Sequence, residues 1–172
     1  MKNRSLPIRP ILDARTANAF LFGLIMNQAQ QAERSWNAPY VLEERLGSRI
    51  PEQIIEMGME NIFHAFSLKP VIHRFVRLMS TNIFNTSILL VEKYAGDARA
   101  IWSPPTKIQT LIKRFCEFPG IGVHKASVGI YLLTLECGVP VIADGTSLSI
   151  DTRCPALFDI YQIAEPILVK EK

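Results

Sequence analysis

The feature that most constrains the fold of this chain is Phe118-Pro-Gly-Ile-Gly122, a short glycine-containing segment between two helical patterns. In residues 106–115 apolar side chains recur at three- and four-residue intervals, which is the period of an amphipathic helix. Residues 125–137 are strongly apolar and again fit a helix. Because one proline and two glycines interrupt the pattern between them, the sequence predicts a helix, a tight hairpin and a second helix over about residues 106–137.

The rest of the chain also has a helical pattern, with one exception. Helices are predicted at 16–36, 39–46, 51–57, 60–66, 70–94 with a break near 81–85, and 98–102. Residues 139–150 instead combine Val-Pro-Val-Ile-Ala with an Asp-Gly dipeptide, which is typical of a β-hairpin or an extended loop. We therefore predict an all-α fold in a single domain over residues 1–172, with a short β-hairpin or loop near 139–150.

Composition excludes some classes of protein and leaves others open. Hydrophobic residues make up 48% of the chain, enough for a sizeable core, and the net charge of +3 is mildly basic, compatible with DNA but not specific for it. The three cysteines form no Cys-x-x-Cys pair, so we expect no zinc site, no iron–sulfur cluster and no cofactor. Since no apolar run reaches the length of a membrane span, we expect a soluble, cytoplasmic protein.

The glycine segment suits the binding of a phosphate. Gly120 and Gly122 permit positive φ and carry no Cβ, so a phosphate can approach the backbone. The next helix begins there and offers unpaired N–H groups at the positive end of its dipole. We expect Ile121 to be buried between the two helices, whereas His124 and Lys125 lie where a cation is unfavourable for the dipole, which indicates an anionic partner. The alternative is an ordinary connection between two helices that happens to contain glycines.

Together with other segments, this hairpin resembles the helix-hairpin-helix superfamily of base-excision DNA glycosylases, which includes endonuclease III. Leu24-Ile-Met-Asn-Gln-Ala-Gln30 is similar to the family's early helix and glutamine-bearing turn, and the likeness extends over roughly residues 18–158. Within the superfamily the chain looks most like small prokaryotic members that lack the iron–sulfur cysteines. The resemblance implies a fold of two helical lobes, double-stranded DNA with a damaged or mismatched base as the partner, a monomer, and association with the nucleoid.

The resemblance also implies roles for individual residues. Contacts to the DNA backbone would come from the hairpin and the helix start after it: Gly120, Ile121, Gly122, Val123 and His124. Gln28 and Gln30 would fill the space that a flipped base leaves. The lysine that forms a Schiff base with the sugar in bifunctional relatives is replaced here by His124, and Lys125 follows one position later, turned by about 100° on a helix. Lys125 is therefore predicted either as that nucleophile or as a phosphate contact.

Two aspartates compete for the role of the family's catalytic carboxylate, which stabilises positive charge on the sugar as the base departs. The spacing from Lys125 favours Asp144, which precedes a glycine in a turn-like sequence. The sequence Ser-Ile-Asp151-Thr favours Asp151, which can also cap a following helix. Of the two we predict Asp151 as the catalytic residue, with residues 144–149 as an insertion, and both aspartates have ordinary alternatives as turn and cap residues.

The sequence thus predicts a DNA N-glycosylase of base excision repair, with or without lyase activity at the abasic site. A helix-hairpin-helix module that binds DNA without catalysis is the alternative, and a helical protein-interaction domain is a third. His73 and Arg74 are predicted to be exposed, in a DNA-facing patch or on a solvated helix face.

Overall fold

The computed structural model describes residues 6–148 and the backbone of residues 168–169, and this part of the chain is mostly helical. The described helices are α1 (Ala14–Met26), α2 (Ala32–Leu46), α3 (Pro51–Ser67), α4 (Val76–Tyr94), α5 (Arg99–Trp102), α6 (Ile108–Phe115) and α7 (Val123–Leu135). The two short strands are β1 (Val141–Ile142) and β2 (Leu168–Val169). The predicted predominance of helix is confirmed.

The predicted helix at 16–36 is wrong, because the chain forms two helices with a turn at residues 27–31. α1 starts at Asp13, which caps it in a reciprocal pair of hydrogen bonds with Thr16, and it ends where the sequence becomes polar. In the turn, Ala29 has φ +51°, a left-handed conformation that no helix continues through. α2 then runs through Pro39, where a new helix was expected, and ends at Gly47 with φ +77°, as predicted.

α3 joins two predicted helices across a kink. Gly58 has φ +78° and ψ 161°, which bends the chain between the segments predicted at 51–57 and 60–66. α4 continues without interruption through residues 81–85, so the expected break there is wrong. Its buried side chains recur every three or four residues along the whole helix, and this packing maintains the helix across a locally polar stretch.

In the described residues 139–148 the chain forms no β-hairpin and is mostly a loop, which was the other predicted alternative. β1 pairs instead with β2 in parallel, and Ile142 also bridges to Lys107 just before α6. The Asp-Gly dipeptide does turn the chain, with Gly145 at φ +81°, and no strand follows it in the described residues up to Leu148. β2, the partner of β1, is distant in sequence, and the residues of a local turn do not predict a distant partner.

The core lies around α1, which is buried along almost its whole length. Two glycines allow close packing against it. A Cβ at Gly23 would lie 2.6 Å from the ring of Trp36 on α2, and a Cβ at Gly129 on α7 would lie 2.5 Å from Leu24. Within the described residues, no helix is both long and apolar enough to cross a membrane.

Candidate functional site

The hairpin between α6 and α7 is closed by two buried apolar side chains. Phe118 and Ile121 are 2% and 5% exposed, in agreement with the expectation for Ile121. The backbone folds back through hydrogen bonds from Phe118 N–H to Phe115 O at 3.1 Å and from Ile121 N–H to Phe118 O at 3.2 Å. The apolar side chains therefore fix the hairpin from inside while its glycines remain on the surface.

The two hairpin glycines have different roles. Gly120 has φ +78°, and a Cβ there would lie 2.9 Å from Nδ2 of buried Asn82 on α4. The expected positive φ is wrong for Gly122, which has φ −95° and ψ 178°. A Cβ at Gly122 would have no other heavy atom within 4 Å. Gly120 is thus required by the backbone and by α4, whereas Gly122 leaves open space next to an exposed backbone.

The N-terminus of α7 is open to an anion. Gly122 is its N-cap and provides no side-chain hydrogen bond to the first turn, which contains no acidic residue. Gly122 is exposed and Val123 is 64% exposed, while His124 is half-buried. Because the first N–H groups of a helix have no acceptor within the helix, this end presents donors and a positive dipole to whatever lies outside.

Lys125 points inward from this helix end. Its Nζ donates a hydrogen bond to Ile25 O at 3.0 Å, at the C-terminal end of α1. The expected anionic partner is therefore not needed to explain the lysine, because the negative end of the α1 dipole stabilises a cation that is unfavourable for α7. Among the described residues, no carboxylate pairs with this amine.

Gly129 brings the amine to this position. It lies four residues after Lys125 and hence on the same face of α7. Since its missing side chain lets Leu24 approach closely, the last turn of α1 comes within reach of the lysine one helical turn earlier.

Burial changes the acidity of Lys125. Desolvation lowers the pKa of its amine to about 8. At pH 7 about a tenth of such amines is neutral, roughly 300 times the neutral fraction of an ordinary lysine. A neutral, half-buried amine is the form that attacks electrophilic carbon.

Gln30 also has its polar group at the end of α1. Its Nε2 donates to Met26 O at 3.3 Å, the carbonyl next to the one that Lys125 contacts. Since a carbonyl can only accept, Oε1 points the other way, where it is buried with no hydrogen-bond partner in the described part of the chain. A buried acceptor without a partner costs free energy of folding.

The prediction that His73 is exposed is wrong, because its side chain is fully buried. Its ring contacts Gln28 O through Nε2 at 2.9 Å and the backbone N–H of Phe75 through Nδ1 at 3.0 Å. Arg74 is exposed as predicted, and Phe75 next to it is 39% exposed. Phe75 was missed at the sequence level, since it lay within the helix predicted at 70–94, where an aromatic residue is usually part of the core.

Asp144 has a structural role at the other end of α6. Its carboxylate accepts from the backbone N–H of Gln109 at 2.9 Å and of Thr146 at 3.0 Å, so it caps the start of α6. Desolvation raises the pKa of Asp144, but these hydrogen bonds outweigh it and the pKa is lowered. With 8 residues, α6 separates this cap from the hairpin by about 12 Å. Asp151 lies outside the described residues.

In the described part of the chain, no group of three or more histidine, cysteine or acidic side chains comes together to hold a metal ion. No protein-family model, curated protein or solved structure matches this chain. Its function is therefore inferred below from the residues and their geometry.

Proposed function

We propose that this protein is a DNA N-glycosylase that binds duplex DNA through the hairpin and cleaves the glycosidic bond of an extruded, damaged base. The observation that carries this proposal is Lys125, a half-buried amine with a pKa of about 8 directly behind an exposed helix N-terminus. A lysine that serves only as a phosphate contact would extend to the surface and keep its ordinary pKa.

Binding would use the backbone of the hairpin. The N–H groups at the start of α7 would hold a phosphate of one strand, with Gly122 giving it room to approach. Arg74 and Arg77 are exposed near the start of α4 and would contribute further positive charge to the binding of DNA. Such contacts fix the position of a protein on DNA without reading the sequence.

Extrusion of a base would use the turn at residues 27–31 and exposed Phe75. An apolar side chain can enter a base step and unstack it, and the amide of Gln28 can pair with the base that is left without a partner. Gln30, with its amide turned inward onto Met26 O, would support the turn that carries Gln28.

In the chemical step, the neutral amine of Lys125 would attack C1′ of the sugar while the bond from C1′ to the base breaks. The base leaves with the electron pair of that bond and takes up the proton that the nitrogen loses. The lone pair of the lysine nitrogen then forms a C1′=N double bond as the C1′–O4′ bond breaks, and O4′ keeps the electron pair of that bond and takes up the remaining proton of the nitrogen, which gives a Schiff base and a free hydroxyl. The capping role of Asp144 favours Asp151 as the carboxylate that stabilises the developing positive charge.

The test is incubation with duplexes that each carry one damaged or mismatched base, in the presence of borohydride. Wild-type protein should release a base and become covalently trapped, and Lys125→Ala should lose trapping at least 100-fold. Lys113→Ala, which removes an exposed lysine on α6, is the matched control and should trap normally.

Other outcomes separate the alternatives. Base release without trapping would mean that water is the nucleophile and that the enzyme is monofunctional. Duplex binding without release from any substrate would favour the non-catalytic module, and absence of salt-dependent binding would exclude both.

A further inference from the structure

The ring of His73 joins two connections that are far apart in sequence, and His73 itself belongs to the second of them. One is the turn at residues 27–31 between α1 and α2, and the other is the segment at residues 68–75 between α3 and α4. The ring of His73 contacts Gln28 O in the first connection and Phe75 N–H, two residues away, in the second. The ring therefore ties the second connection to the first through its two nitrogens.

These contacts determine the form of the ring. The backbone N–H of Phe75 can only donate, so Nδ1 must be unprotonated. The carbonyl oxygen of Gln28 can only accept, so Nε2 must carry the hydrogen. The ring is thus neutral and in a single tautomer. In the other tautomer, Nδ1–H would face the N–H of Phe75 and the unprotonated Nε2 would face the carbonyl oxygen of Gln28.

Both connections carry side chains that reach the surface. Phe75 is 39% exposed and follows exposed Arg74, and the first connection carries Gln28, which is partly exposed. We propose that His73 is a positioning residue that couples Gln28 to Phe75, so that the two connections meet DNA as one preorganised surface. The proposal rests on the DNA binding proposed above, but the coupling itself is a property of the free protein.

The charges around the ring favour the same neutral form. Burial is the largest effect and lowers the pKa of His73 below its ordinary range; hydrogen bonds to the backbone of Gln28 and Met26 raise it, and Arg34 from α2 and Lys125 from α7 lower it as positive charges. The guanidinium of Arg34 donates to Val71 O in the second connection and so remains close to the ring. A protonated ring would face these cations and would lose its acceptor for Phe75.

Two substitutions each remove one contact. In His73→Asn the side-chain oxygen can still accept from Phe75, but the contact with Gln28 is lost. In His73→Gln the amide nitrogen can still donate to Gln28, but the contact with Phe75 is lost. His64→Asn, at an exposed position of α3, is the matched control. DNA affinity is measured at pH 7.5 and well below the melting temperature, so that unfolding does not contribute.

We expect each His73 variant to bind duplex DNA about tenfold more weakly, with the slope of log affinity against log salt reduced by no more than the one contact of Arg74, because the hairpin contacts remain. His64→Asn should bind like the wild type. Wild-type affinity in both folded His73 variants would overturn the proposal.

Amide hydrogen exchange and backbone chemical shifts test the coupling without DNA. If His73 couples the two connections, His73→Gln should alter the amides of residues 27–31 as well as that of Phe75, and His73→Asn should alter Phe75 as well as the turn. Changes confined to the connection whose contact with residue 73 was removed would overturn the coupling. If the wild type does not bind DNA but each variant alters the amides of both connections, the proposed function and the DNA-facing role are overturned. The coupling between the two connections is then still established.

Discussion

Lys125 has an amine that points inward and a lowered pKa, and its position in the sequence alone predicts neither property. At the start of α7 the pattern suggests a surface lysine that contacts phosphate, yet its Nζ points inward and contacts Ile25 O on the neighbouring α1. The sequence places the residue on the correct helix, whereas the direction of its side chain depends on how α1 and α7 pack.

The pKa of Lys125 predicts the pH dependence of covalent trapping. Because the reactive amine is the neutral form and its pKa is about 8, the trapping rate should rise about tenfold per pH unit from pH 6 to 7 and level off above pH 8. Single-turnover trapping at fixed ionic strength gives this profile. A rate still increasing steeply at pH 9.5 would show that the amine has an ordinary pKa.

His73 predicts a loss of stability in mild acid. In the folded state, burial lowers the pKa of His73 below the ordinary value of 6.5 that it has in the unfolded chain. The unfolded chain therefore binds the proton first as the pH falls. The contribution of His73 to stability is complete above pH 6.5 and decreases below it. Urea unfolding of the wild type should show this decrease between pH 7 and 5, and His73→Asn should show a smaller one; equal slopes would contradict the assignment.

At the scale of elements, the hairpin was the part best predicted from sequence, because its signals are local. Proline, glycine and the apolar period determine where α6 ends and α7 begins. The division of the predicted helix at 16–36 was not predicted, since residues 27–31 are compatible with either a helix or a turn. It is settled by tertiary contacts, including the one from His73 to Gln28.

The two hairpin glycines give a matched pair of substitutions. Gly120→Ala should destabilise the fold by about 2 kcal/mol, since φ is +78° and the new Cβ would crowd Asn82. Gly122→Ala has open space and an ordinary φ, so it should cost less than about 1 kcal/mol but weaken DNA binding at least fivefold by blocking a phosphate. Urea unfolding and duplex titration measure the two effects. The opposite ranking in either assay would contradict these roles.

For the whole molecule, the sequence predicted mostly helical structure but not the contacts between distant elements. Asp144 shows the reason. Its spacing from Lys125 suggested catalysis, while the structure places it over Gln109 at the start of α6. That contact depends on where the chain runs after α7, as does the pairing of β1 with β2.

Binding to the DNA backbone should depend steeply on salt. With several phosphate contacts, affinity should fall at least 100-fold between 50 and 200 mM salt. Arg74→Ala should reduce the slope of log affinity against log salt by about one. Arg15→Ala is the control, because Arg15 pairs with Glu43 at the other end of α1 and should leave the slope unchanged. A slope near zero for the wild type would rule out backbone binding.

The close approach of α7 to α1 at Gly129 has a consequence for protein engineering. Alanine at this position would widen the spacing between the two helices and admit water beside Lys125, which would return the amine toward its ordinary basicity. The pH at which the protein reacts could therefore be adjusted by a residue that touches neither DNA nor the amine, with the nucleophile itself left in place.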